Sequence, residues 1–312
     1  MKVFRGFEAL REIKKPVVTT GSFDGVHVGH KIIINRLKQL AREIEGESVL
    51  ITFYPHPRKV LYPDSKGKDL LMINSQNEKI ELLAETGLDN LIIVNFTREF
   101  ASITSIQFIE NYLLGKLHAE IIVVGFNHFF GKNREGDFTC LEKLSAKHGF
   151  RIEEIPQQDI QNEKVSSTRI RKALNKGDIQ RANAYLDHLY IIKGEVLPGS
   201  GKMKNLGFNT IGLRLEEDIK LIPPDGVYAI KIEIDHTQLK GILNIRSRHF
   251  TGDETSARIE LLLVEPFPNN KVATEAKIFL YKRFRDTREF SSDDQLKEQL
   301  ENDISYIDEL IY

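Results

Sequence analysis

The chain has 312 residues, more than one hydrophobic core usually fills, so two domains of roughly 100–200 residues each are expected. Its 44 Lys and Arg residues almost balance 45 Asp and Glu residues, which gives no electrostatic argument for nucleic acid or an anionic membrane as the partner. The single cysteine, Cys140, cannot form an internal disulfide, and the sequence has neither a signal-peptide run nor about 18 consecutive apolar residues. We therefore expect a cytoplasmic protein without a transmembrane helix.

The first half alternates apolar runs typical of strands with segments of helical periodicity. Strands are predicted at residues 16–20, 48–54, 90–96, 120–125 and 150–155, and helices at residues 31–44, 77–86, 105–117 and 141–148. Continuously apolar strands that alternate with helices indicate a parallel sheet covered by helices on both faces. The pattern predicts a doubly wound α/β domain.

The pattern changes after about residue 190. Strands are predicted at residues 190–197, 226–234, 239–245, 258–264 and 276–281, separated by clusters of Gly, Pro, Asn and Asp with no helix between them. This indicates a compact antiparallel β-barrel, and helical spacing over residues 293–311 predicts a terminal amphipathic helix packed on it. A helical segment at residues 172–186 precedes the boundary, so the predicted domains are residues 1–187 and 188–312.

The segment GSFDGVHVGH, residues 21–30, lies between the first strand and the first long helix. At such a turn, unpaired backbone N–H groups and the helix dipole favour a phosphate. Gly21, Gly25 and Gly29 allow tight turns and close backbone approach. His27 and His30 are three residues apart on one helix face and can both point at a phosphate. A structural turn or a zinc pair is the alternative, although no clustered Cys or third His completes a metal site.

A second polar segment, VSSTRIR at residues 165–171, directly precedes a predicted helix. Ser166, Ser167 and Thr168 place three hydroxyl groups at the start of that helix, where they can donate to phosphate oxygens, and Arg171 adds a planar cation. An ordinary Ser/Thr cap is the alternative. The phosphate role is favoured because a terminal strand of such a sheet would bring this loop beside the first one.

These two motifs together resemble the His-x-Gly-His nucleotidyltransferase superfamily. The segments FYPHPR (53–58), VGFNHFFG (124–131) and REGD (134–137) narrow the resemblance to the bacterial bifunctional riboflavin kinase/FAD synthetase family, over the whole chain. The resemblance implies adenylyl transfer, in which the phosphate of FMN attacks the α-phosphorus of ATP and pyrophosphate leaves without a covalent enzyme intermediate.

The resemblance also implies roles for individual residues. His27 and His30 would neutralise the triphosphate, and Asp24 would lie near the phosphates or their Mg²⁺. The departing phosphates would be held by Ser166, Ser167, Thr168 and Arg171, and the nucleotide would contact Gly21, Phe23, Gly25 and Gly29. His56 and Arg58 would face the flavin and its phosphate, and Asn127 would line the neighbouring pocket with Phe126, Phe129 and Phe130, for which core packing is the alternative.

In related kinases the barrel carries a glycine-rich flap, a Pro-Thr-Ala-Asn motif that helps hold Mg-nucleotide, and a glutamate base for the riboflavin hydroxyl. Here Thr210 matches the motif threonine and Glu260 the base, for which a solvated strand carboxylate is the alternative. Met203 stands where a third flap glycine is usual, and Gly212 replaces the motif amide. Because Mg²⁺ demands nearly octahedral geometry and few protein ligands, we predict weak or absent kinase activity.

The main prediction is therefore FAD synthetase with ATP, FMN and Mg²⁺, and no nucleic acid or membrane partner. A fully bifunctional enzyme that also accepts riboflavin is the first alternative. Adenylylation of another phosphate, such as phosphopantetheine or nicotinamide mononucleotide, and a flavin-binding module without catalysis are the others.

Overall fold

A computed structural model describes residues 1–125, 129–156, 159–160, 163–199, 202–246, 258–265 and 274–311. The chain divides into two compact units, of which the first comprises Met1–Leu71 with Lys79–Ser166 and the second comprises Met72–Glu78 with Ser167–Tyr312. The predicted boundary at residues 187 and 188 stays a prediction.

The first unit is built on a parallel sheet of six strands in the order β1-β4-β3-β2-β5-β6. Its strands are β1 (Lys2–Arg5), β2 (Val17–Thr20), β3 (Ser48–Tyr54), β4 (Asn90–Asn95), β5 (Ile121–Gly125) and β6 (Arg151–Ile155), followed by the short hairpin of β7 (Asp159–Ile160) and β8 (Glu163–Lys164). The helices up to this point are α1 (Val28–Glu43), α2 (Pro57–Leu61), α3 (Gln76–Glu85), α4 (Arg98–Ala101), α5 (Ser105–Gln107), which continues into a π-helical segment (Phe108–Leu114), and α6 (Phe138–His148). The predicted doubly wound sheet is confirmed.

Hydrophobic burial explains why this sheet forms. Strands β2 to β5 are buried along nearly their whole length, as parallel strands covered on both faces should be. Helix α1 packs on β2, β3 and β5, and its buried residues recur at helical spacing: Ile34, Leu37, Leu40 and Ala41. The sequence does not predict β1, because only Phe4 of its four residues is buried and the strand has no apolar run.

The second unit is a closed antiparallel barrel in the order β10-β13-β12-β11-β14-β9. Its strands are β9 (Tyr190–Pro198), β10 (Thr210–Leu215), β11 (Gly226–Ile234), β12 (Thr237–Arg246), β13 (Arg258–Leu263) and β14 (Glu275–Arg285), and its helices are α7 (Ser167–Asn175), α8 (Ile179–Leu186), α9 (Lys202–Asn205) and α10 (Asp293–Leu310). The predicted barrel and terminal helix are confirmed. The sequence does not predict β10, and α9 corrects the expectation that no helix interrupts the strands.

Helix α10 is held by its cap, its apolar side and ion pairs to the barrel. Ser292 accepts a hydrogen bond from the backbone N–H of Gln295 at 3.2 Å, which satisfies one free donor of the first turn. Arg285 of β14 forms a forked ion pair with Asp303, which is only 3% exposed. These contacts fix the helix on the barrel face formed by β11, β12 and β13.

The second unit includes a short piece of the first half of the sequence, residues 72–78. Met72 pairs with Lys220 in a parallel bridge. The ammonium group of Lys220 donates to the carbonyl oxygens of Ile73 at 2.6 Å and Ile191 at 2.7 Å and to the carboxylate of Glu78 at 2.6 Å. Both charged side chains are 0% exposed. The barrel unit is therefore completed by a buried ion pair whose partners are 142 residues apart.

Candidate active sites

The loop between β2 and α1 lies where the strand order of the parallel sheet reverses. From β2 the chain continues to β3 and β4 on one side and later to β5 and β6 on the other side. In open parallel sheets, ligands bind outside the carboxyl ends of the strands at such a switch point. The predicted phosphate loop, residues 21–30, therefore lies where a ligand is expected.

The two histidines of this loop are stacked on each other. The ring centroids of His27 and His30 are 3.6 Å apart with an angle of 16° between the planes, and Phe23 stacks on His30 at 4.4 Å. A Cβ atom at Gly29 would lie 3.3 Å from the His27 ring, so glycine lets the ring lie against the backbone. The structure brings both imidazoles together, and their role in catalysis stays a prediction.

The electrostatic setting favours neutral imidazole at His30. Removal from water lowers the pKa of His30 well below its ordinary value, and the positive charges of His27 and Lys79 lower this pKa further. The buried Nδ1 atom of His30 has no hydrogen-bond partner within the part of the chain that the structure describes. An anionic ligand beside the rings would raise the pKa and favour the protonated form.

The backbone of the loop adopts costly conformations. Phe23 and Val26 have positive φ angles of 48° and 42°, and Gly25 has a φ of 94°. A left-handed conformation costs a non-glycine residue roughly 1–2 kcal/mol, so the surroundings must hold these two residues in place. Both side chains are buried, and Asp24 between them is buried too. The proposed role of Asp24 beside the phosphates stays a prediction.

The side chains of Thr52 and Lys79 form hydrogen bonds with the backbone at the start of the loop. The carbonyl oxygen of Ser22 accepts a hydrogen bond from Thr52 Oγ1 at 3.1 Å and another from Lys79 Nζ at 3.4 Å. Lys79 Nζ also lies 3.3 Å from Thr52 Oγ1. Both side chains are buried. Neither residue belongs to a motif that the sequence makes recognisable.

His56 and Arg58 follow β3, the immediate neighbour of β2 in the sheet. His56 is the N-cap of α2, and its Nδ1 accepts a hydrogen bond from the backbone N–H of Arg58 at 3.1 Å. Because neighbouring parallel strands end at the same edge, this turn and the phosphate loop share one edge of the sheet. The predicted contacts of these residues with FMN stay predictions.

The second predicted phosphate segment forms the start of a helix, as expected. Helix α7 begins at Ser167, directly after Ser166, so the hydroxyl groups lie at a helix N-terminus. Arg171 is in the second turn and partly buried. The convergence of these groups with the two imidazoles stays a prediction. The predicted pocket residues Phe126 and Asn127 lie outside the described residues, and the neighbouring Phe129 is exposed under the guanidinium of Arg134.

The barrel brings its predicted residues together through strand pairing. Gly212 on β10 lies opposite Glu260 on β13, and Glu260 lies opposite Asn244 on β12. Directly paired residues share one face of a sheet, and so does Thr210, two residues before Gly212. The buried Thr210 Oγ1 and Asn244 Oδ1 have no hydrogen-bond partner within the described ranges. A hydroxyl, a carboxylate and an amide therefore share one barrel face.

The side chain of the flap residue Met203 is buried. Met203 is 8% exposed and packs in a hydrophobic cluster with Ile242, Leu262 and Leu300. The side chain that replaces the usual third flap glycine is therefore buried in the core and not at the surface. A Cβ atom at Gly199 would lie 2.3 Å from Thr210 Oγ1, so only glycine allows this approach. The flap residues 200–201 lie outside the described residues.

Two family models match the chain in succession. The model described as FAD synthetase matches residues 10–169, and the model described as riboflavin kinase matches residues 186–311. Among the residues that the structure describes, no group of three His, Cys, Asp or Glu side chains could hold a metal ion, which gives no support to a zinc site at the two histidines. No helix among them is long and apolar enough to cross a membrane.

Relatives match over nearly the full chain. The bifunctional riboflavin kinase/FMN adenylyltransferase of Bacillus subtilis is 36% identical, over 94% of this chain and 91% of its own length. The protein of the same name from Listeria monocytogenes is 34% identical, over 92% of this chain and 90% of its own length. A crystal structure described as a macrolide-efflux protein from Streptococcus pneumoniae has a TM-score of 0.86 and 28% identity, over 96% of each chain.

These findings correct one prediction. A weak or absent kinase activity has no support, because the riboflavin kinase model matches the barrel half and both relatives are named for two activities. The comparisons therefore favour the alternative of a fully bifunctional enzyme. The chain belongs to the family of bifunctional riboflavin kinase/FMN adenylyltransferases, with a FAD synthetase half followed by a riboflavin kinase half.

Proposed function

We propose that the chain catalyses two ATP-dependent reactions, phosphorylation of riboflavin to FMN and adenylylation of FMN to FAD. The observation that carries the first activity is the barrel face on which Thr210, Glu260 and Asn244 meet. The observation that carries the second is the stacked pair of His27 and His30 at the switch point of the sheet. The full-length relatives support both assignments.

In the adenylyl transfer, an oxygen of the FMN phosphate attacks the α-phosphorus of ATP, and the bond to the bridging oxygen of pyrophosphate breaks. Catalysis of such a transfer consists mostly of positioning and of stabilising negative charge. His27 and His30 can donate hydrogen bonds to the polyphosphate, and its charge would favour the protonated form of His30. Ser166, Ser167, Thr168 and Arg171 are proposed to hold the departing pyrophosphate. His56 and Arg58 are proposed to bind FMN.

In the kinase reaction, the terminal hydroxyl of riboflavin attacks the γ-phosphorus of ATP and ADP leaves. Glu260 is proposed to accept the hydroxyl proton as a general base. The two buried oxygens without a partner among the described residues, Thr210 Oγ1 and Asn244 Oδ1, fit Mg²⁺, which prefers neutral and charged oxygen ligands. Thr210 would hold the ion together with ATP, and the ion would supply positive charge to the phosphates.

The proposal is tested by incubating the purified chain with Mg-ATP and either riboflavin or FMN, and by identifying the products by chromatography. We expect riboflavin to give FMN and then FAD, and FMN to give FAD. Glu260→Gln should abolish FMN formation and leave FAD formation from added FMN unchanged. Recovery of unreacted riboflavin with the unaltered protein would refute the kinase assignment, and recovery of unreacted FMN would refute the adenylyltransferase assignment.

The two activities are proposed to belong to the domains predicted at residues 1–187 and 188–312, and the bounds of the two family models support this division. A cytoplasmic location, expected from the single cysteine, is part of the same proposal.

A further inference from the structure

We infer that Lys79 is a positioning residue for adenylyl transfer: from behind the phosphate loop, its buried ammonium group holds the Ser22 carbonyl and, through it, the segment that carries His27 and His30. The inference rests on the proposed adenylyl transfer. It adds a residue that lies on α3, outside both phosphate motifs.

The buried ammonium group of Lys79 contacts the start of the phosphate loop directly. Lys79 is 7% exposed, and burial of an ammonium group is costly unless it finds polar partners. Its Nζ atom lies 3.4 Å from the Ser22 carbonyl oxygen and 3.3 Å from Thr52 Oγ1. Two donors thus meet on one carbonyl, which stands directly before the first left-handed residue, Phe23.

The backbone that follows Ser22 is strained and needs contacts that hold it. The left-handed residues Phe23 and Val26 can persist only where surrounding contacts over-determine the chain, since the relaxed loop would gain roughly 1–3 kcal/mol at each. The imidazole of His27 follows immediately, and its ring centroid must stay 3.6 Å from that of His30. A loosened Ser22 carbonyl would therefore displace the groups that face the polyphosphate.

The charge of Lys79 also acts on His30. The groups that lower the pKa of His30 by their charge are His27, on the same loop, and Lys79, which faces the loop from α3. Asp24 is buried on that loop as well, and the described part of β3 contributes the uncharged Thr52. Burial is the main cause of the lowered pKa of His30, and the charge of Lys79 lowers this pKa further.

The test compares Lys79→Gln, which removes the charge and keeps a hydrogen-bond donor, with Lys79→Arg, which keeps the charge and changes the shape. Lys147→Gln is the matched control, because it removes one lysine charge at the exposed surface of α6. For Lys79→Gln we expect kcat for FAD formation to fall by up to about 100-fold, as for a misplaced reacting group. The limb of its pH profile of kcat/KM that reports His30 should move to higher pH.

Lys79→Arg should lower kcat without moving that limb, and Lys147→Gln should change neither quantity. A purely structural role for Lys79 would lower the amount of folded protein and leave the pH profile in place. Unchanged kcat and an unchanged limb in Lys79→Gln would overturn the inference. If this variant does not fold, Lys79→Arg decides, and full activity of that variant would overturn the inference equally.

A second readout does not depend on turnover. The ring signals of His30, assigned with His30→Gln, are followed by NMR against pH in the unaltered protein and in Lys79→Gln. We expect His30 to titrate at higher pH in the variant. Absence of FAD formation by the unaltered protein would contradict the proposed function alone, whereas an unchanged kcat together with identical His30 titrations in Lys79→Gln would contradict the inference alone.

Discussion

The phosphate loop of the first unit and the polar face of the barrel are built in different ways. The phosphate loop is one stretch of chain, in which Phe23, His27 and His30 follow each other within a single turn and helix start. The barrel face takes Thr210, Asn244 and Glu260 from three different strands.

The difference determines what each site depends on. The phosphate loop needs contacts that hold a strained backbone, and these come from buried residues on neighbouring elements. The barrel face needs only the correct strand register, because a shift of one residue would turn every side chain to the other face. The first site should therefore be sensitive to remote anchors, and the second to the integrity of the barrel.

The largest effect is expected where the barrel depends on its buried ion pair. Lys220→Met should lower the free energy of unfolding by about 3–5 kcal/mol, because it leaves the Glu78 carboxylate buried without its cation. Chemical denaturation followed by circular dichroism measures the change. The control is Lys240→Met, which removes a partly exposed ion pair with Asp308 and should cost about 0–1 kcal/mol. Equal losses in the two variants would mean that the buried pair does not support the barrel.

The next effect should separate the two sites. His30→Ala should raise the barrier to FAD formation by about 2.7–4 kcal/mol, in line with the loss of one preorganised donor to a developing charge. Riboflavin phosphorylation by the same protein should keep its rate. Steady-state kinetics with each substrate measures both reactions, and His148→Ala, on the surface of α6, serves as the matched control. A parallel fall in both activities would show that the loop and the barrel are not independent.

A smaller effect is expected at the amide that strand register adds to the barrel site. Asn244→Ala should raise the barrier to riboflavin phosphorylation by about 1.5–3 kcal/mol, the range for a hydrogen bond to a charged group. FAD formation from FMN should not change. Gln238→Ala, an exposed change on the same strand, is the control. Wild-type kinase kinetics in Asn244→Ala would remove this residue from the site.

The smallest effect concerns stability against pH. Because the pKa of His30 is lowered in the folded protein, the unfolded chain binds a proton first as the pH falls. The contribution of His30 to the free energy of unfolding is fully present above the unfolded pKa of about 6.5. It is lost below that pKa, by at most about 1.4 kcal/mol per pH unit for one proton. Denaturation at pH 7.5 and pH 5.5, values chosen on the order of one unit to either side, should show a smaller loss in His30→Gln than in the unaltered protein. Equal losses would mean that His30 does not carry this dependence.

Much of the fold can be predicted from the sequence because periodicity and burial agree. The predicted central strands are found as β2 to β5, where continuous apolar runs correspond to burial on both faces. Strand β10 cannot be predicted in the same way, because four of its six residues are partly buried and it contains a glycine. Its place is set by pairing with β9 and β13, which no local pattern encodes.

The residues of the two sites likewise fall into those that the sequence predicts and those that only the structure shows. The positions of His27 and His30 can be predicted because three-residue spacing at a helix start places both on one face. Lys79 cannot, since it lies 57 residues from Ser22 within a helix of ordinary amphipathic character. Asn244 likewise becomes visible only through its pairing with Glu260. A motif comparison at position 212 records the loss of an amide, whereas strand pairing shows that Asn244 presents an amide on the same barrel face.

The segment of residues 72–78 has a practical consequence for dissecting the protein. A protease cut or a gene truncation near residue 187 would give a C-terminal fragment that contains Lys220 but not Glu78. Such a fragment would carry a lysine in its interior with no carboxylate to neutralise it, and poor refolding would say little about the chemistry of the barrel. A separately expressed kinase half would need this peptide added in trans or grafted onto its N-terminus.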